Sequence, residues 1–372
     1  IPTVVGAGDE VLELAEGARL LVDGASGAIY VDPDEELVAR HESFEGRRQM
    51  RQAAAGRKAR EPAVTSDGRC IEVGANLGSV AEVEDALAAG ADGVGLLRTE
   101  FLFLDRDAAP TEEEQFTAYA AIVQALGGRP LILRTTDVGA DKSPAWMEQV
   151  PEANPFMGLR GIRLSLAQPE TFMTQLRAVV RAAAGHPLKL MFPMVSTVGE
   201  LRHARELLEE ARADVSRAGH PTPQRIEVGV MVEVPACAIT AHAFASQVDF
   251  FSIGTNDLAQ YALAADRGNN RVAGLVDPLH PSILRLIAHV VEAARRHEKW
   301  VGVCGELAGD PQAAQLLVGL GVTELSMSPP AIALVKDAIR GVSYERAREA
   351  AASVMEMASA DEVRRLVETD WP

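Results

Sequence analysis

Cysteine, aromatic residues, long apolar runs and excess positive charge are all scarce in this chain. Cys70, Cys237 and Cys304 are far apart and form no CxxC pair, which rules out a disulfide framework and fits a cytoplasmic protein with mostly buried thiols. Cys70 and Cys237 are read as packing residues. No apolar run reaches the roughly 18 residues that a membrane span needs, and no signal peptide is expected. The formal net charge is −17, so neither a nucleic acid nor an anionic membrane is the expected partner, although a local cationic cleft remains open. Histidines stand at 41, 186, 203, 220, 242, 280, 289 and 297, with no HExxH or paired metal spacing. None sits in a turn that marks a phosphorylated nucleophile. His280, in DPLHPS, reads as a helix cap or a solvent-facing residue.

What the chain does have is a core and a repeat. Apolar residues make up 47% and charged residues 24%, which excludes extensive disorder. Residues 1–33 contain short β-like pieces broken by glycines, with a turn around Gly24 and Gly27. The chain starts on IPTVVGAG without Met and reads as the tail of an earlier domain. Residues 34–61 are polar and helix-prone, a linker helix with kinks expected near Gly46 and Gly56. From Pro62 onward, strand and helix patterns alternate. Strands are expected at 71–75, 93–97, 130–135, 188–193, 226–232, 248–253, 300–304 and 322–326. Helices are expected at 80–89, 112–126, 170–184, 198–214, 236–245, 280–297 and 311–319, with closing helices over 331–368. Eight strands predict an α/β fold, a (β/α)8 TIM barrel over 62–372, and 372 residues accommodate such a barrel with extensions. An open doubly wound sheet is the structural alternative.

In such a barrel, chemistry collects at the C-terminal ends of the strands. Those ends carry Arg98 and Glu100, then Arg134, Asp137, Asp141 and Lys142, then Glu233, then Asn256 and Asp257, then Cys304 and Glu306. Arg267 follows Asp257 by ten residues, and NPFMGLRGIR places Arg160 in a loop that walls the pocket. A guanidinium fork matches phosphate oxygens. Singly, Arg98 and Arg134 are equally well explained by ion pairs to Glu100 and Asp137. Together with Arg160 and Arg267, four arginines near one rim of an acidic protein favour an anion site. Glu233 and Asp257, on adjacent staves, have the makings of a Mg2+ site completed by substrate oxygens; a capping or salt-bridged pair is the competing reading. Cys304 at its strand end is either a small buried hydrophobe or a proton donor or nucleophile.

The segments GVGLLRTEFLFLDRDAAPTEEEQF, LRTTDVGADK, NPFMGLRGIR, MFPM, GVMVEVPA, DFFSIGTNDLAQYALAADRGN, KWVGVCGELAGDP and GLGVTELSMSP, in this order, resemble the enzyme I family of bacterial sugar phosphotransferase systems. More broadly they resemble the phosphoenolpyruvate-utilising enzymes, which include pyruvate phosphate dikinase and phosphoenolpyruvate synthase. The resemblance covers nearly the whole chain. It implies that Arg98, Arg134, Arg160, Asn256, Asp257 and Arg267 bind phosphoenolpyruvate, that Glu233 and Asp257 hold Mg2+, and that Cys304 protonates the enolate to give pyruvate. It also implies a homodimer through the barrel. Residues 1–33 resemble the end of a β-rich swivelling phosphohistidine domain whose acceptor histidine is not present here. The docking site for the histidine phosphocarrier protein HPr would lie in that missing N-terminal part. Ala140 replaces a usual glycine. A dikinase or synthase barrel, and a non-catalytic phosphoenolpyruvate-sensing or dimerising module, remain the alternative readings.

Overall fold

The computed structural model describes residues 4, 7–24, 27–139, 144, 146–147 and 152–371. Strands β1 (Leu20–Asp23) and β2 (Ala28–Val31) pair antiparallel, Leu20 opposite Val31. A helix, Glu35–Arg57, follows. The Asp34 carboxylate caps it by accepting from the Leu37 amide, and Glu35 and Glu36 lie in its first turn, where negative charge favours the helix N-terminus. The helix continues through Gly46 and Gly56 without a break. Most of its surface faces water. It meets the rest of the molecule near its end, where Ala55 and Ala59 pack on Ala333 and the Gln52 side chain donates to the Pro330 carbonyl at 3.0 Å.

Strand β3 (Ala63–Val64) pairs antiparallel with the start of β4 (Cys70–Leu77). There follow β5 (Val94–Arg98), β6 (Leu131–Arg134), β7 (Leu188–Phe192), β8 (Glu227–Val232), β9 (Phe250–Ile253), β10 (Trp300–Val303) and β11 (Glu324–Met327). Each of β4–β11 pairs parallel with the next, and β11 returns to β4 with Glu324 opposite Glu72. This closes an eight-stranded (β/α)8 barrel, with a strand at each of the eight expected segments. Cys70 opens β4 and is exposed, which corrects its reading as a packing residue; Cys237 is buried.

Strand alternation sorts side chains to two faces. Leu97, Leu131, Leu133, Leu190, Val228, Val230, Phe251 and Val303 join the main core between ring and helices. Leu96, Ile132, Met191, Met231, Phe250 and Cys304 form a separate, smaller cluster inside the ring. Phe250 stacks on Trp300 with ring centroids 4.5 Å apart, and a β-carbon at Gly229 would lie 2.4 Å from the Phe250 ring.

Two helical segments differ from expectation. The helix expected at 236–245 is two short ones, Pro235–Ile239 and Ala241–Ala245. The break is at Thr240, whose hydroxyl donates back to the Ala236 carbonyl at 2.6 Å, a local bond that competes with helix continuation. A helix that the sequence pattern did not announce, Thr255–Ala262, begins directly after β9. His280 caps the helix Pro281–Arg296, its ring nitrogen accepting from the Ser282 amide. Among the described residues, no helix is long and apolar enough to cross a membrane.

Because the interior beside Phe250 is filled, Gly229→Ala must push that ring off its stack, at about 1–3 kcal/mol of stability. Urea unfolding of parent and variant measures this, and an unchanged midpoint would show that the interior is loosely packed.

Candidate active site

The C-terminal strand ends open into one cavity of 730 Å³. Arg98, Arg134, Arg160, Glu233, Asn256, Asp257, Arg267 and Cys304 all line it, with Glu100, Asp137, Phe156, Met231 and Glu306. Residues drawn from five strand ends and two loops therefore meet at one mouth. Asp141 and Lys142, also expected at the end of β6, lie outside the described residues, as does Ala140.

The floor is a lattice of buried charge. Arg134, the last residue of β6, donates from Nη2 to Glu100 Oε1 at 2.9 Å, and its Nη1 lies 3.2 Å from Asp137 Oδ2. Arg160 reaches the same Asp137 through Nε at 3.2 Å and Nη2 at 2.8 Å. Its Nη1 turns to Asp257 Oδ1 at 3.4 Å and to the Tyr261 hydroxyl at 3.1 Å. Arg267 Nη2 completes the chain at 3.4 Å from Asp257 Oδ1. The ion-pair reading of Arg134 is thus realised, and the same guanidinium still faces the cavity with its Nε unpaired. Arg98 differs: it is exposed, and its side chain makes no ion pair or hydrogen bond among the described residues.

Local chemistry sets these positions. Gly161 has φ 56°, and a β-carbon there would lie 2.9 Å from the Met194 side chain and 3.0 Å from Asp137 Oδ1. Only glycine takes this backbone comfortably, and it lets the Arg160 loop close on Asp137. Behind the lattice, Gln175 accepts from the Thr136 amide at 3.1 Å and donates to Thr99 Oγ1 at 3.1 Å and to the Tyr119 hydroxyl at 3.2 Å. Thr99 donates in turn to the Arg134 carbonyl at 3.0 Å. This network fixes the ends of β5 and β6 to each other.

Glu233 follows β8 and is buried, with Oε1 accepting from the Met194 amide at 2.6 Å. Burial, then the neighbouring Asp137 and Asp257 carboxylates, raise its pKa, and Arg134 and Arg160 only partly oppose them. Asp257 sits in the first turn of the helix Thr255–Ala262. Asn256, beside it, accepts from the Glu306 amide through Oδ1 at 2.9 Å. Cys304 Sγ lies 3.7 Å from the Ile253 carbonyl, and burial pushes its thiol up to about 12, so it rests protonated. Among the described residues, no group of three or more His, Cys, Asp or Glu is placed to hold a metal. Any ion here takes its remaining ligands from substrate or water.

Sequence reasoning missed Tyr261, which accepts from Arg160 and donates to the Phe156 carbonyl. It stands four residues after Asp257, one turn along the helix that went unrecognised, so the Asp257–Tyr261 face had no periodic signal. Gln175 was hidden in an amphipathic helix, where a glutamine reads as surface.

An eight-stranded parallel barrel with arginines and carboxylates converging at its C-terminal mouth defines a class of enzyme-like site for a multiply charged anion. Residues 52–344 match the family model described as "PEP-utilising enzyme, PEP-binding domain", and the chain belongs to the phosphoenolpyruvate-utilising enzyme family. It is 45% identical over 363 residues to the phosphoenolpyruvate-protein phosphotransferase of Geobacillus stearothermophilus, covering 98% of this chain and 63% of that protein. The corresponding protein of Listeria monocytogenes is 43% identical over 368 residues, covering 99% and 64%. The multiphosphoryl transfer protein of Rhodobacter capsulatus is 46% identical over 366 residues, covering 98% and 44%. The chain therefore spans less than two thirds of the length of these relatives.

The raised Glu233 pKa has a sign that solution work can read. The folded, metal-free chain favours the neutral carboxyl, so the stability linked to this group is intact below its ordinary value of 4.5 and is lost as pH rises through the raised one. Urea unfolding of the parent and of Glu233→Gln between about pH 5 and about pH 8 should show a steeper loss in the parent. Equal slopes would contradict the burial of this charge.

Proposed function

We propose that the barrel mouth binds phosphoenolpyruvate together with Mg2+ and that, in the full-length protein, it hands the phosphoryl group to an enzyme histidine and releases pyruvate. The observation that carries this reading is the convergence of all eight expected residues on one cavity. In this reading Arg98, Arg134, Arg160 and Arg267 oppose the charge on phosphate and carboxylate, with the open Arg98 fork free to take phosphate oxygens. Asn256, whose Oδ1 is occupied by the Glu306 amide, offers its amide N–H groups to the substrate.

The donor set fits Mg2+. Glu233 and Asp257 supply hard oxygen ligands, and Glu233 is a buried carboxylate that lacks sufficient positive charge beside it. Bound there, the ion would offset charge on the phosphoryl and enolate oxygens. The chain's own residues do the rest. The arginine lattice orients the three-carbon acid, and Met231 and Phe156 line the wall and limit water. The Cys304 thiol gives its proton to the methylene carbon once the phosphoryl group has left: S–H breaks, C–H forms and a thiolate remains. A thiol held neutral by burial suits that donor role. In this reading the acceptor histidine and the HPr docking surface belong to the N-terminal part of a full-length, cytoplasmic protein, and the barrel carries homodimerisation.

Phosphoenolpyruvate with Mg2+, at about a hundredfold excess over Kd, should stabilise the parent by about 2.7 kcal/mol. In a thermal-shift assay Asp257→Ala should lose the Mg2+-dependent part of that gain, while Cys304→Ala keeps it. An Asp257→Ala response equal to the parent's would remove Asp257 from the metal site.

A further inference from the structure

The barrel interior holds one ionisable group that the proposed chemistry does not use. Glu324, the first residue of β11, is 3% exposed, and neither of its carboxyl oxygens has a hydrogen-bond partner among the described residues. Room for it is made by glycines on three other strands. A β-carbon at Gly95 would lie 2.1 Å from Oε1, one at Gly302 would lie 2.0 Å from Oε2, and one at Gly74 would lie 3.2 Å from Oε1. An unpaired buried carboxyl is costly, and three side chains have been omitted to accommodate this one.

Its surroundings point toward Cys304. Gly302, over which Oε2 sits, is in register with Ser252 on β9, and Cys304 lies two residues further along β10. The Ser252 hydroxyl is buried and has no hydrogen-bond partner among the described residues, yet it is close enough to Cys304 to lower the thiol's pKa. On the other side, a β-carbon at Gly95 would lie 2.5 Å from Ser326 Oγ, so Glu324 Oε1 and Ser326 Oγ flank the same glycine. Ser326 donates to Asn76 Oδ1 at 2.6 Å, and Asn76 Nδ2 donates to the Cys304 carbonyl at 2.9 Å. The staves β9, β10, β11 and β4 thus present a polar, glycine-lined stripe, opposite the apolar Leu96, Ile132, Met191 and Met231. At the far end of the stripe Glu72, paired with Glu324 across the closing seam, is exposed to solvent.

We infer that Glu324 and Ser252 form a proton relay through the inside of the barrel that reprotonates Cys304 after it has given its proton to the enolate. The inference rests on the reading of Cys304 as proton donor. The balance is simple. The Cys304 thiolate takes a proton from the Ser252 hydroxyl, which takes one from the Glu324 carboxyl through an intervening water, because the two groups share no direct hydrogen bond, and the resulting carboxylate regains its proton from solvent at the Glu72 end. No oxidant or further reactant is needed. Burial, and next the Glu72 carboxylate, raise the Glu324 pKa well above the ordinary range, with Lys189 opposing; Lys189 is itself held by Glu227 at 3.4 Å. Burial therefore favours the neutral carboxyl, the form that can give a proton to a thiolate.

The test uses this chain with Mg2+ and pyruvate in D2O, following loss of the methyl proton signal by NMR. When the relay is cut, the abstracted proton returns to the same pyruvate and washout slows while binding is untouched. Glu324→Gln should lower the exchange rate about tenfold or more, within the range of lost acid–base assistance, with the half-saturating pyruvate concentration unchanged. Ser252→Ala should do the same, and it keeps the test alive should the glutamine variant melt early. Cys304→Ala is the control. If it abolishes exchange while Glu324→Gln and Ser252→Ala exchange at the parent rate, the relay is overturned and the Cys304 reading stands. If Cys304→Ala exchanges like the parent, the thiol is not the donor, and the relay falls with it.

Discussion

Asp137 is the fastening on which the site depends. Its carboxylate holds Arg134 at 3.2 Å and Arg160 at 2.8 Å, and through Arg160 the chain of charge runs on to Asp257 and Arg267. Segments more than a hundred residues apart are stitched together at one depth. Such a lattice is a poor source of stability, because desolvating each ion offsets most of the attraction. Breaking it is another matter: stranding one buried partner costs about 3–5 kcal/mol. Its value lies in orientation. Three arginines and three carboxylates are held where an anion and a cation would meet them, so little reorganisation is left for binding.

The barrel divides its two tasks by face. Stability comes from the outer face of the strands, where leucine, valine and isoleucine pack against the helices. The inner face is smaller and uneven. One part is apolar, with Phe250 stacked on Trp300; another, which begins further along the same two strands, is thinned by Gly74, Gly95 and Gly302 around a lone carboxyl. A ring built only for stability would fill that space with branched side chains. The uneven filling gives Cys304 an apolar flank that keeps it neutral and a polar flank that leads away from the cavity.

Much of this was legible in the sequence. Strands buried on both faces read as continuous apolar runs, so VGLLR, LILR and GVMV marked themselves, and the residue after each run marked the mouth. Arg98, Arg134, Glu233 and Cys304 were found in that way. Asp257 was found, but its setting was not. A helix of eight residues that starts at the strand end leaves no turn to announce it, and with it went Tyr261 one turn later. Gln175 carries no local sign that it reaches Thr99 and Tyr119. Glu324 was hidden because a charged residue opening a strand reads as a solvent-facing end; that its side chain points inward follows only from ring closure onto β4 and from glycines on three other strands. Exposed Cys70 erred the opposite way, since a thiol next to a strand was taken as core.

The central claim is that the arginine lattice and the Glu233–Asp257 pair form one site, filled jointly by a phosphorylated three-carbon acid and a divalent ion. Two ligands that share a site in this way must raise each other's affinity by the same factor. Calorimetric titration of this chain with phosphoenolpyruvate at increasing Mg2+, and the reverse titration, measures both factors. The account predicts a gain of about tenfold or more, equal in the two directions. A phosphoenolpyruvate affinity that is the same in chelator as in saturating Mg2+ would contradict it.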